Sequence, residues 1–189
     1  MKPFLVILLL AFSINLLGCD YSTAPSEPIK PIGIVLIVAT DSANPQDSIG
    51  AKFFNTRGLA PFAIGLHPKA GRTYFGTIRF GREVVDSDDS IQEITEEIRD
   101  AGSLYQIFLT PDSVAADYMK IEITDRDKRG LPLGLSFTLR TLTPHPDRFG
   151  SIDQLRMVVS RFNSESEKNG VAPSAVSDFN EDIPVRIER

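Results

Sequence analysis

Residues 119–142 read MKIEITDRDKRGLPLGLSFTLRTL, and the fold class turns on them. Met119, Ile121 and Ile123 alternate with Lys120, Glu122 and Thr124; Leu133, Leu135, Phe137 and Leu139 alternate in the same way. A period of two puts every apolar side chain on one face of an extended strand. Between the two runs lies Asp125-Arg126-Asp127-Lys128-Arg129-Gly130, a charged turn closed by glycine. The stretch therefore predicts two strands, Met119 to Thr124 and Leu131 to Leu142, each with one dry face. The same parity recurs in Tyr74, Ile78 and Phe80, in Tyr105, Ile107 and Leu109, in Leu155, Met157 and Val159, and in Ile183, Val185 and Ile187. Gly33 to Ala39 is apolar throughout and predicts a buried strand, although periodicity alone leaves a helix segment open. Asn44-Pro45, Pro68 to Gly71 and Pro144 to Asp147 supply turns. Many short strands without strand–helix alternation predict an all-β fold, an Ig-like antiparallel β-sandwich over residues 32–189. Pro184 lacks an amide to donate, so its strand belongs at an edge.

One segment departs from this period. From Ser90 to Gly102, Ile91, Ile94, Ile98 and Ala101 fall on one helical face, Ser90 and Glu93 form a capping box, and Gly102 suits the C-terminal cap. A single short helix of about three turns follows, its apolar face turned to the core. Asn163 to Asp178 is a long polar interval joining the last two strands, lacking aromatic anchors and read as low-complexity loop.

The chain has 189 residues and one cysteine, Cys19. Ahead of it, Met1 and Lys2 give a positive start and Phe4 to Leu17 an apolar run too short to span a bilayer, which is the pattern of a secretory signal peptide over residues 1–18. Its ending, Leu16-Leu17-Gly18-Cys19, resembles the lipobox of bacterial lipoproteins. The resemblance implies cleavage between Gly18 and Cys19, lipidation of the Cys19 thiol and usually acylation of the new amino group. Two or three acyl chains, at about 0.8 kcal/mol per methylene, hold a protein to a membrane stably. The implied location is the bacterial cell envelope, anchored to the inner or outer membrane with the domain in the periplasm. Asp20 resembles an inner-membrane retention signal. Residues 19–31, with prolines at 25, 28 and 31, read as an extended tether.

The motifs RTYFGTIRF, EITEEIRDAGSLYQIFLT and EITDRDKRGLPLGLSFTLRT, between Arg72 and Thr141, resemble a group of small β-rich Bacteroidota lipoproteins. Those chains are often labelled type 1 periplasmic binding fold proteins. That fold requires two parallel-sheet lobes of strand–helix units, far more chain than this. The resemblance therefore implies a lipoprotein with repeated strand motifs, and it brings no activity and no catalytic residues.

The formal net charge of −5, becoming −6 once Lys2 leaves with the signal peptide, speaks against nucleic-acid binding, which needs clustered cations. With Cys19 committed to lipid, neither an internal disulfide nor a thiolate metal site is expected. His67 and His145 are 78 positions apart, each directly before a proline, and no Gly-x-Ser-x-Gly is present, so neither a triad nor a zinc site is expected. Two acidic groups are calcium candidates: Asp86, Asp88 and Asp89, read first as helix-start acids, and Asp125 with Asp127, read first as part of a charged turn. No cofactor is expected. The chain reads as a non-catalytic binding or structural module whose partner is an envelope protein or polysaccharide. A row of exposed aromatics drawn from Tyr74, Phe75, Tyr105 and Tyr118 would mark a carbohydrate module. Two carboxylates about 5–9 Å apart in a cleft would mark a hydrolase.

Overall fold

The computed structural model describes residues 32–55, 60–84, 91–143 and 148–189. The signal-peptide and tether segments, Gly18, Cys19, Asp86, Asp88, Asp89 and His145 lie outside the described residues. The described residues form ten strands: β1 Ile34–Asp41, β2 Ser48–Phe54, β3 Phe62–Ile64, β4 Thr73–Glu83, β5 Ile91–Glu93, β6 Tyr105–Pro111, β7 Met119–Ile123, β8 Ser136–Thr141, β9 Asp153–Arg161 and β10 Ser177–Val185. One sheet runs β3-β2-β1-β4-β8-β7, with β5 on the second edge of β4; the other runs β10-β9-β6. All these pairings are antiparallel. The two layers form an all-β antiparallel sandwich with, among the described residues, one short α-helix, as the alternation predicts.

The dry parities meet in its interior. Tyr74, Ile78, Phe80, Tyr105, Ile107, Met119, Leu133, Leu135, Phe137, Leu139, Leu155, Met157, Val159, Ile183, Val185 and Ile187 are all buried. Gly76 belongs to this set because the Phe137 ring covers it: a Cβ there would stand 2.2 Å from the ring's Cζ. Pro184 sits in β10, the edge strand expected for it.

The sheets are joined at both sides. Beyond β3 the chain leaves the large sheet and runs parallel to the end of β10, with Leu66 N donating to the Pro184 carbonyl at 2.9 Å and Arg186 N to the Leu66 carbonyl at 2.9 Å. On the other side the segment leading into β8 changes partners within three residues. Ile107 N of β6 donates to the Leu133 carbonyl at 2.7 Å, whereas Ile78 N of β4 donates to the Leu135 carbonyl at 2.9 Å. Gly134 makes the corner at φ +97°, where a Cβ would lie 2.3 Å from the Ile107 carbonyl oxygen. Only glycine combines that dihedral with that approach.

The helix differs from expectation. It spans Thr95–Asp100, here α1, and Ile91–Glu93 is a strand instead of its first turn. The cause is β4: β8 pairs with it only from Thr73 to Thr77, which leaves its later amides and carbonyls exposed to pairing. Ile91–Glu93 takes that edge, Ile94 N donates to the Phe80 carbonyl at 2.9 Å, and Thr95 Oγ1 accepts from Phe80 N at 2.9 Å. Ser90 of the expected capping box lies outside the described residues; at the observed start the N-cap is Ile94, without a side-chain cap bond, and Glu93 bonds to Arg79. Ile94 and Ile98 are buried as the helical face requires, but Ile91 is exposed.

Candidate interaction surface

The apolar run Gly33 to Ala39 is buried on one side only. Val35, Ile37 and Ala39 enter the core, while Ile34, Leu36 and Val38 point away from it. Register extends that outward row across the sheet. Ile34 lies opposite Phe54, and Phe54 opposite Phe62, their rings stacked at 4.8 Å. Lys52 separates Leu36 from Ile64. On β4, Phe75 lies diagonal to Val38, and Ile91 of β5 stands beyond Gly81. Phe62, Ile64, Phe75 and Ile91 are 49%, 52%, 60% and 59% exposed. The outer row of β1 is therefore apolar from Ile34 to Val38, where a half-buried sheet normally alternates to polar, and Phe54, Phe62, Ile64, Phe75 and Ile91 add apolar side chains around it among Lys52, Thr77 and Arg79. At the end where β1 begins, between β1, β4 and β5, the missing side chain of Gly81 leaves a hollow of about 260 Å³ lined by Ile34, Leu36, Arg79, Ile91 and Glu93. At its rim Arg79 Nε donates to Glu93 Oε1 at 2.9 Å. That hydrogen bond keeps the Glu93 carboxyl below the usual range, so the rim pair is charged at neutral pH.

The calcium candidates Asp125 and Asp127 serve the turn that contains them. Asp125 accepts from Gly134 N at 2.9 Å and Leu135 N at 3.0 Å, fixing the corner where the chain changes sheets. Asp127 Oδ1 accepts from Arg129 N at 2.8 Å and Leu131 N at 2.9 Å, and its Oδ2 pairs with Lys168 Nζ at 2.7 Å. Among the described residues, no group of three His, Cys, Asp or Glu side chains gathers where it could hold a metal ion.

Lys168 is the residue that sequence reasoning missed. It lies in the polar interval after β9, yet its side chain is 0% exposed, and Nζ also donates to the Gly102 carbonyl at 2.7 Å. One cation thus ties the loop to the end of α1 and to the β7–β8 turn. Burial pushes the Lys168 amine down, opposed by the Asp127 carboxylate. Burial alone would raise Asp127; the Lys168 ammonium and the Leu131 and Arg129 amides outweigh it and hold the carboxyl low. The two shifts point opposite ways about the charged state of the pair. Contacts at 2.7 Å to two acceptors decide for an ion pair at neutral pH.

A second buried polar group lies at the other end of the sandwich. The Tyr118 hydroxyl donates to Asp153, whose other oxygen accepts from Arg148 at 2.9 Å. Desolvation and the Asp153 carboxylate push the Tyr118 hydroxyl up to about 12. No family model, curated protein or solved structure matches this chain.

Of the four aromatics considered for sugar binding, Tyr74, Tyr105 and Tyr118 are buried and Phe75 is exposed. Phe54 and Phe62, which join Phe75 on the outer face, stand toward the opposite end of the strands, so the three form no row. The hollow at Gly81 and the clefts beside Phe149, Phe162 and Ile152 carry at most one carboxylate each. His67 is exposed and lies 3.3 Å from Glu188, in the extended segment that runs beside the end of β10 and not in the turn expected for it. The outer face itself left one trace in the sequence: seven apolar residues from Gly33 to Ala39 with no polar alternate, the signature of a strand dry on both sides.

Proposed function

We propose that this chain is a lipoprotein of the bacterial cell envelope, held to a membrane through acylated Cys19, whose β-sandwich acts as a non-catalytic binding or structural module. The observation that carries the reading is Leu16-Leu17-Gly18-Cys19 at the end of a cationic, apolar leader, with no second cysteine to give the thiol another purpose. The sandwich supports the module reading through the apolar side chains exposed on its large sheet, a surface suited to contact. The resemblance to small β-rich Bacteroidota lipoproteins points the same way, and an envelope protein or polysaccharide is the partner class it leaves open.

Metabolic labelling with an alkyne fatty acid tests the anchor. The wild-type chain takes up label and sediments with membranes, whereas Cys19→Ser takes up none. Equal labelling of both, or a mature chain beginning elsewhere without acyl mass, overturns the reading.

A further inference from the structure

We propose that the apolar outer face of the large sheet rests on the lipid bilayer, so that the anchored domain lies on its side. This rests on the lipoprotein reading above.

Three observations converge on lipid as the occupant. The first is where the chain leaves the described structure. Cys19 precedes Ile32 by 13 residues, and the chain joins the sheet at Ile34, itself part of the apolar face. At about 3 Å per residue those 13 residues reach at most about 40 Å, more than enough to let the whole face meet the surface that holds the acyl chains.

The second is area. Four strands about 4.8 Å apart and about five residues long present roughly 300 Å², against about 800 Å² per partner in a stable protein interface. Such a patch is too small to recruit a second protein from solution. It suffices where a tether already keeps the surface within reach at high effective concentration.

The third is charge. Lys52, Arg79, Lys120 and Arg140 share the outer parity of the sheet with Glu83, Glu93 and Glu122, four cations against three anions on a chain whose total is −5. The end of the sandwich nearest Gly33 carries α1, where Glu96, Glu97 and Asp100 outnumber Arg99 and Arg82, which pair with Glu96 and Glu97, and leave an acidic excess. Anionic headgroups repel that end and tolerate the face, which favours side-on contact over end-on contact.

The test uses the acylated full chain, its acyl mass confirmed, in phosphatidylethanolamine–phosphatidylglycerol vesicles. With the Cys19 thiol occupied by lipid, a single fluorescent probe is attached in each of Ile64→Cys, Phe75→Cys, Ile91→Cys and, on the outer side of the small sheet, Asn180→Cys. Probes at Ile64 and Phe75 are expected to be about threefold or more better shielded from aqueous iodide than the probe at Asn180, and to be quenched by a lipid-borne quencher. Quenching equal to that at Asn180 overturns the side-on arrangement and leaves the anchor standing. Lipid contact at Ile91 alone overturns it in favour of end-on contact. Shielding that grows with protein density and is blind to the lipid quencher overturns it in favour of a second copy. Absence of acyl mass removes the anchor and this arrangement together.

Discussion

At the residue scale, a few buried polar groups are as sensitive to substitution as the apolar core. Lys168 and Asp127 are nearly inaccessible, with side chains 0% and 1% exposed, so removing one leaves the other charged and dry. Lys168→Met is expected to lower unfolding free energy in urea by about 3–5 kcal/mol, and adding Asp127→Asn to recover part of the loss. A change under about 1 kcal/mol would mean that the loop is not anchored there. Because the folded Asp127 carboxyl is lowered, its contribution is complete above the ordinary aspartate range, near 4, and is lost as pH falls through the lower folded value. Tyr118 behaves oppositely. Its folded pKa of about 12 is raised above the ordinary value of 10.0, so its contribution is complete below 10 and is lost as pH rises from there toward 12. Urea midpoints measured between about pH 9 and 12 should fall for the wild type and fall less for Tyr118→Phe.

At the scale of elements, β1 shows how a strand can be apolar on both sides with only one of them packed. Ile37→Ala is expected to cost about 2–5 kcal/mol, whereas Val38→Lys changes stability in solution by less than about 1 kcal/mol. Equal costs would mean that the outer face is covered. At the corner between sheets, Gly134→Ala would meet the Ile107 carbonyl and force a positive φ on a side chain, so a loss of about 3 kcal/mol or more is expected in thermal or urea unfolding. Strands that bury every second residue were readable because the alternation in 119–123, 133–139 and 155–159 is uninterrupted. β2 was not, since Gly50 and Ala51 dilute its alternation, and β3 and β5 have three residues each. The start of α1 was misread for a definite reason: Ile91 satisfies helical spacing to Ile94 and Ile98, but an unpaired edge of β4 offers residues 91–93 more hydrogen bonds than a first helical turn would. The buried role of Lys168 had no signal in its own neighbourhood. It depends on Gly102 and Asp127, which are 66 and 41 residues away.

At the scale of the whole molecule, the outer face was legible only as a run of apolar residues on β1. Its width came from Phe54, Phe62, Ile64 and Phe75, on three other strands, and strand order is a property of long-range pairing that periodicity does not encode. The chain also leaves the sandwich at opposite poles. Gly33 adjoins the start of β1, whereas Glu188 pairs with Pro68 and Ala70 beside the far end of that strand, where Tyr74 lies opposite Asp41. Tension applied between an anchored N-terminus and anything gripping the C-terminus would therefore run along β1. Neighbours β2 and β4 flank that strand, and their ladder bonds lie across the pull, so they would be loaded together in shear instead of unzipping one by one. A domain threaded in this way would meet a pull between its two ends with all the rungs of β1 at once.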